Sequence, residues 1–259
     1  TETDAIKAAT MLAEKNISIT TLGMGKDFNF NFILELVKPS KGTSDSIEKE
    51  NEAVQVFEKT LKRSQNVVVK DVEIELNVSN EVRINDHFRA LPQTTYLGKV
   101  PLKSDRKFII KLDDMEQNRC YEYLFEVTVP TVNKEYEGKF RVMKTLLRYT
   151  IVATNESVEK SYDILIDITR DEELAEKEYS TIKTTYKRCI IQKLDNQLND
   201  FLGNKDHNNV IRILKELISQ TQEIDENERS DYYKSMYEEY ITTNQISQQK
   251  LNCATKSST

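Results

Sequence analysis

The run Asp4-Ala5-Ile6, continuing through Leu12-Ala13-Glu14-Lys15-Asn16-Ile17-Ser18-Ile19-Thr20-Thr21-Leu22-Gly23-Met24-Gly25-Lys26-Asp27-Phe28-Asn29, decides how the chain is read. Asp4 can cap a helix whose apolar members Ile6, Ala9, Leu12 and Ala13 recur at helical spacing. Ile17 to Leu22 is a short β-branched run, and Gly23-Met24-Gly25 ends it in a sharp turn. Helix, strand and glycine turn in that order open an α/β unit.

Working outward, Phe30 to Val37 reads as a second helix, broken by Pro39, and Val54, Phe57 and Leu61 mark one apolar face of a third. Residues 1–66 thus have the texture of a parallel sheet with helical crossovers. The period then changes. Val72, Ile74, Leu76 and Val78 alternate with Glu73, Glu75 and Asn77, the pattern of a half-buried strand. Similar runs follow at Val82–Phe88, Phe108–Leu112, Tyr123–Val129, Phe140–Ile151 and Tyr162–Ile168, so residues 67–169 predict an antiparallel β-sandwich. Helical spacing returns over residues 170–259. Acidic Asp171-Glu172-Glu173 suits a helix start, and Tyr179, Ile182, Tyr186, Ile190, Leu194, Leu198 and Phe201 form one stripe that Gly203 stops. Two further helices carry Val210, Ile211, Leu214, Leu217 and Ile218, and then Tyr233, Met236, Tyr237, Tyr240 and Ile241, which predicts a small antiparallel bundle.

Composition bounds the function. Among 259 residues, 37 basic side chains against 43 acidic ones give −6, the wrong sign for the basic field of a nucleic-acid binder. No apolar run approaches the ~20 residues of a membrane helix. Cys120, Cys189 and Cys253 are odd in number and far apart, as free thiols of a reducing, intracellular compartment would be. The sequons at Asn16, Asn77 and Asn155 are read as chance in so Asn- and Ser-rich a chain.

The opening run resembles the second half of a von Willebrand factor A (VWA) domain. There a helix leads into a strand ending in Gly-x-Gly and then Asp-Phe-Asn or a close variant, here Gly23-Met24-Gly25 and Asp27-Phe28-Asn29. A Gly-marked turn follows at Lys41-Gly42, and the closing helix falls at Glu52 to Ser64. One bacterial-type arrangement of the family continues with a β-sandwich and a helical tail. Leu97-Gly98-Lys99-Val100, Arg106-Lys107-Phe108 and Leu147-Arg148-Tyr149 resemble that sandwich's strand edges, and Leu251-Asn252-Cys253-Ala254-Thr255-Lys256 resembles the tail's basic close. The implied fold is α/β plus all-β plus all-α: a C-terminal VWA (Rossmann-like) half, a sandwich and a helical bundle. Intact VWA domains often bind a divalent cation through Asp-x-Ser-x-Ser, a Thr and an Asp. Those ligands would lie upstream of Thr1, so the resemblance implies no metal ligand and no cofactor in this chain. Ser44-Asp45-Ser46 has the wrong order, and the strand expected after Gly42 is reduced to a polar Thr43–Ile47.

Other constellations read as structure. Gly23-Met24-Gly25-Lys26-Asp27-Phe28 lacks the third glycine of a dinucleotide loop and the Gly-Lys-Ser/Thr end of a P-loop. His87 and His207 lie in different regions with no partner at ligand spacing; His87 is placed on a strand surface and His207 in a helix's first turn. Adjacent acids at Asp113-Asp114 and Asp171-Glu172-Glu173 read as solvated rather than as an acid–base pair, Cys189 as core filler, and the basic clusters Lys59-Lys62-Arg63 and Lys183-Lys187-Arg188 as solvated helix faces. No catalytic residue is assigned. Tyr232, Tyr233, Tyr237 and Tyr240 are the candidate interface, set against the reading that Tyr233, Tyr237 and Tyr240 seal the bundle. The expected function is non-enzymatic protein–protein binding, with no nucleic acid and no transmembrane segment. Two alternatives stand beside it. One is a structural subunit resembling the inner layer of the vesicle coat that buds from the endoplasmic reticulum; the other is a fragment of a nucleotide-binding enzyme.

Overall fold

A computed structural model describes the chain apart from residues 16, 18, 26, 27, 41, 43, 48–52, 59–65, 103, 113, 131–135, 248, 249 and 252–259. The chain forms two compact units. One gathers Thr1–Val54, Arg89–Tyr96 and Ser180–Thr259; the other gathers Gln55–Phe88 and Leu97–Tyr179. No helix among the described residues is long and apolar enough to cross a membrane.

The first unit opens with α1 (Glu2–Glu14), β1 (Thr21–Met24), α2 (Phe30–Val37) and β2 (Ser44–Ile47). The cap of α1 is Thr1, not Asp4; Asp4 is the third helical residue and completes a reciprocal capping box with Thr1. The α2 helix spans the predicted residues, with the Asn29 side chain accepting from the Phe32 amide at 3.1 Å. β1 begins at Thr21, later than the expected Ile17, and Gly23 and Met24 lie inside it. Gly25, at φ +83°, makes the turn. The polar segment after Gly42 does form a strand. β2 pairs in parallel with β1, Thr21 against Ser44 through Met24 against Ile47, so β1–α2–β2 is a crossover unit. Ile47 supplies its buried side chain, and the Gln93 amide satisfies Ser44 by accepting from its backbone N–H and donating to its hydroxyl. A short helix, α3, covers residues 53–58, but its Val54 and Phe57 are exposed. Leu61 lies outside the described residues.

The same unit contains the helices α5 (Ser180–Gly203), α6 (His207–Gln222) and α7 (Asn227–Thr243). Their core is Ile191, Leu194, Leu198, Val210, Ile213, Leu214, Leu217, Tyr233, Met236 and Tyr240. The predicted stripe along α5 holds only from its middle onward: Ile182 is 57% exposed and Tyr186 36%, whereas Cys189 and Ile191 are fully buried. Both turns of the bundle use one device. Asp206 N–H donates to Phe201 C=O and Lys205 N–H to Leu202 C=O, with Lys205 at φ +56°. Twenty residues on, Glu226 N–H donates to Thr221 C=O and Asp225 N–H to Gln222 C=O, with Asp225 at φ +60°. Each is a Schellman closure whose left-handed residue is followed directly by the next helix's N-cap. Gly203 is therefore the last helical residue rather than the stop; Lys205 takes the left-handed conformation.

The second unit is a sandwich. Its first sheet runs β10 (Glu156–Ile168), β9 (Gly138–Ile151), β3 (Val67–Val78), β6 (Lys107–Lys111), with β7 (Met115–Glu116) also on β3. The other sheet runs β5 (Thr95–Lys99), β4 (Arg83–Leu91), β8 (Glu122–Thr128), with the tip of the β4–β5 hairpin, Arg89–Tyr96, counted in the first unit. The pairs in the first sheet are antiparallel throughout. Val72, Leu76 and Val78 are buried as the alternation predicts, and Leu76, Val78, Val82, Ile84, Val100, Ile110, Val142 and Met143 form the core. A bulge between Lys70 and Glu73 places Asp71 at φ +54°. The acidic helix start at Asp171 gives only the one-turn α4 (Glu172–Ala175), capped by the Asp171 side chain.

Candidate functional site

Three of the four candidate tyrosines belong to the bundle interior. Tyr233 and Tyr240 are 0% and 2% exposed, and Tyr237 is half-buried with the Lys215 ammonium 5.6 Å from its ring centre. Tyr232, 41% exposed, is the one whose ring is open to a partner. The Tyr233 hydroxyl donates to Asp195 Oδ1 at 2.7 Å, while Arg229 reaches Asp195 Oδ2 at 2.7 Å and the Tyr233 hydroxyl at 3.1 Å. Burial pushes the Asp195 carboxyl above the usual range, against the pull of the Arg229 charge. Burial also raises the Tyr233 phenol, with the Asp195 carboxylate adding to it. The three side chains satisfy one another, so they form a structural lock between α5 and α7 and not a poised acid–base pair. Neither Asp195 nor Arg229 stood out in the sequence, because each sits among other charged residues at ordinary helical positions.

The remaining constellations are also engaged in structure. His207 is the first residue of α6 behind the Asp206 cap, and its Nδ1 lies 2.6 Å from the Tyr240 hydroxyl. His87 is not on a surface. It is 7% exposed, stacks on Phe125, meets Phe108 edge-on and holds Gly98 C=O at 2.8 Å. Cys189 is buried, and burial pushes its thiol up to about 12, which keeps it an inert thiol. Lys187 pairs with Glu223 and Arg188 with Glu226. Asp113, Cys253 and the cluster Lys59-Lys62-Arg63 lie outside the described residues. Ser44-Asp45-Ser46 does not fit a divalent cation: the three lie in β2, Ser44 is held by Gln93, and Asp45 Oδ1 accepts from the Ser46 amide at 2.9 Å.

The sandwich carries the feature that sequence inspection passed over. On its outer face Glu159, Arg148, Glu73, Glu75 and Lys107 form a ladder across β10, β9, β3 and β6, with Arg148 bonded to Glu159 at 2.7 Å, Glu73 at 3.1 Å and Glu75 at 3.0 Å. The opposite face of β10 is apolar. The register sets Tyr162 against Thr145 and Ile164 against Met143, on the side where Met143 is buried. Yet Tyr162 and Ile164 are 55% and 44% exposed, and Leu165, past the bulge, is 47% exposed. The sandwich core draws on β3, β6 and β9 of this sheet and on Val82, Ile84 and Val100, and β10 packs Ile166 against it.

Comparison with solved structures bears on the fold. The von Willebrand factor type A from Catenulispora acidiphila matches 89% of this chain over 54% of its own, with a TM-score of 0.71 and 14% identity. The ArnB paralog VWA2 from Sulfolobus acidocaldarius matches 93% over 55% of its own, with a TM-score of 0.46 and 15% identity. The human COPII-coat protein Sec24c matches 84% over 26% of its own, with a TM-score of 0.41 and 15% identity. At these scores the last two carry no argument. No family model and no curated protein matches the sequence. The chain shares the fold of the first, α/β with antiparallel sheets and helices as residues 4–29 led us to expect, and spans about half that protein's length.

Proposed function

We propose that this chain, which shares the von Willebrand factor A-type fold, is a non-enzymatic protein-binding module. The observation that supports the reading is the exposed apolar stretch of the edge strand β10. Tyr162, Ile164 and Leu165 form a contiguous apolar edge on a long, well-paired strand. Covering such an edge with a partner's apolar side chains removes it from water at about 25 cal/mol per Å². The strongly perturbed groups support the same reading: Asp195, Tyr233 and Glu75 owe their shifts to internal partners and burial. The reading requires no metal or cofactor held by this chain.

Photo-crosslinking tests it. A benzoylphenylalanine at position 162, expressed in cells of the source, is expected to give one discrete protein adduct. Ile164→Lys should abolish that adduct while the protein stays folded, because Ile164 is 44% exposed. A crosslinker at Val152, also 44% exposed, serves as control. No adduct from position 162, or the same adduct from Val152, would overturn the reading. A crosslinker at Tyr232 applies the same test to the tyrosine surface.

A further inference from the structure

Among the described residues β10 (Glu156–Ile168) pairs with β9 alone, so its far side presents alternate backbone N–H and C=O groups at a sheet edge. Native sheets blunt such edges with short strands, Pro, lysines or a bulge that twists the strand away. Of these devices β10 has only Lys160. It runs 13 residues without Gly or Pro. The irregularity in its pairing lies on the other strand: Ile164 opposes Met143 and Leu165 opposes Arg141, so the extra residue is Val142 of β9. Tyr162 and Ile164, on the core side, and Leu165, on the outer side, are all about half exposed. The edge is long, regular and apolar at its middle.

The residue pattern of β10 fits a second copy of itself. In an antiparallel pair made by a two-fold axis normal to the sheet, opposite side chains share a face, and the residue on the axis meets its own copy. Tyr162 is the midpoint of Glu156–Ile168. With the axis at Tyr162 all 13 residues pair, and no two like charges lie directly opposite. On the outer face Ser161 meets Asp163 of the second copy, and Ser157 meets its Asp167. On the core side Tyr162 meets Tyr162, Val158 meets Ile166, and Lys160 lays its aliphatic stem against Ile164 with the ammonium left in water. Moving the axis one residue toward the C-terminus sets Asp163 against its own copy. Moving it one residue the other way sets Glu159 against Asp163. Like charges directly opposite destabilise a strand pair, so the charges exclude both neighbouring registers. The register that remains uses the whole strand and adds about a dozen main-chain hydrogen bonds to the contact of its apolar side chains.

We propose that two copies of this chain join antiparallel along β10, about Tyr162, into one continuous sheet. The proposal rests on the protein-binding reading above and names the partner as a second copy. Sedimentation equilibrium of the purified full chain should show reversible, concentration-dependent conversion to twice the monomer mass. Ser161 reads the register, because its side chain is exposed and its replacement leaves the sandwich core untouched. Ser161→Asp faces Asp163 of the second copy, twice over by symmetry, and should weaken association at least ~3-fold. Ser161→Lys faces the same carboxylates and should tighten association by a similar factor. A mass that stays monomeric up to millimolar protein, or one affinity shared by the two Ser161 variants, would overturn the proposal. The crosslink from position 162 separates the two claims. An adduct of two copies supports both. An adduct with a different protein overturns the second copy and leaves the protein-binding reading standing. A missing adduct counts against that reading itself, whereas the mass measurement bears on the second copy alone.

Discussion

Arg148 in the sandwich and Arg229 in the helical bundle each gather carboxylates, under opposite conditions. Arg148 is 38% exposed in its side chain and touches three acids spread over two neighbouring strands, Glu73 and Glu75 on one side and Glu159 on the other. Arg229 is 2% exposed and, with Tyr233, closes on the buried carboxylate Asp195, with the less buried Glu226 3.5 Å away. In the first case water reaches Arg148 and Glu159, so their pairing adds little, and of the three acids only Glu75 is buried. In the second the ions have lost their water, so the pair is indispensable once both members are present and replaceable if all are removed together. Similar contact distances therefore predict very different consequences.

The largest expected effect tests the buried side. Arg229→Ala leaves Asp195 inside the bundle with the Tyr233 hydroxyl but without its counter-charge, and should cost about 3–5 kcal/mol in urea unfolding. A loss below about 1 kcal/mol would show that water reaches Asp195 and that the contrast is false. The triple change Asp195→Leu, Arg229→Met, Tyr233→Phe should run the other way, from neutral to about 1–4 kcal/mol more stable, by replacing the network with apolar side chains of similar size. If the triple variant is as unstable as Arg229→Ala alone, the network contributes more than mutual satisfaction.

The ladder should respond to pH. The hydrogen bonds from Arg148, then Lys107 and Asn77, hold the Glu75 carboxyl down at about 2, below its ordinary 4.5. The folded state thus binds its proton less readily than the unfolded chain. The contribution of these bonds is complete above about pH 4.5 and fades as the pH falls toward 2. Glu75→Gln should therefore lower stability by on the order of 1–2 kcal/mol at pH 7 and by nearly nothing at pH 2, measured as the difference in unfolding midpoint. A deficit that persists at pH 2 would assign the loss to packing. The smallest effect belongs to the outermost rung. A double-mutant cycle on Arg148 and Glu159 should return about 0.2–1 kcal/mol, shrinking further at high salt.

Much of the architecture was legible in the residues. The alternation of Val72, Ile74, Leu76 and Val78 placed β3 and its buried face, and the Phe30–Val37 helix was bounded correctly because Asn29 and Pro39 are local signals. The helical stripe along α5 misled at its start, since periodicity marks a face as apolar without saying what covers it; Ile182 and Tyr186 have the spacing but not the burial. His87 was misplaced for the same reason: its strand position fixes a direction, and only Phe108, Phe125 and Gly98 make that direction interior. The candidate tyrosines could not be sorted by sequence, because an interface tyrosine and a core tyrosine share one spacing. The exposed β10 edge was invisible because the spacing of Tyr162 and Ile164 marks an apolar face without saying whether anything covers it.

The sequence by itself determined the local periods and the α/β opening that led to the fold. Those are short-range properties, set by which backbone conformations and which faces a few neighbouring residues prefer. Tertiary structure alone decided that Asp195 meets Arg229 across 34 residues of chain, and that the hairpin tip at residues 89–96 belongs with the two ends of the chain. Each of those depends on partners distant in sequence, and the pairing of buried polar groups leaves no periodic trace for a sequence to show.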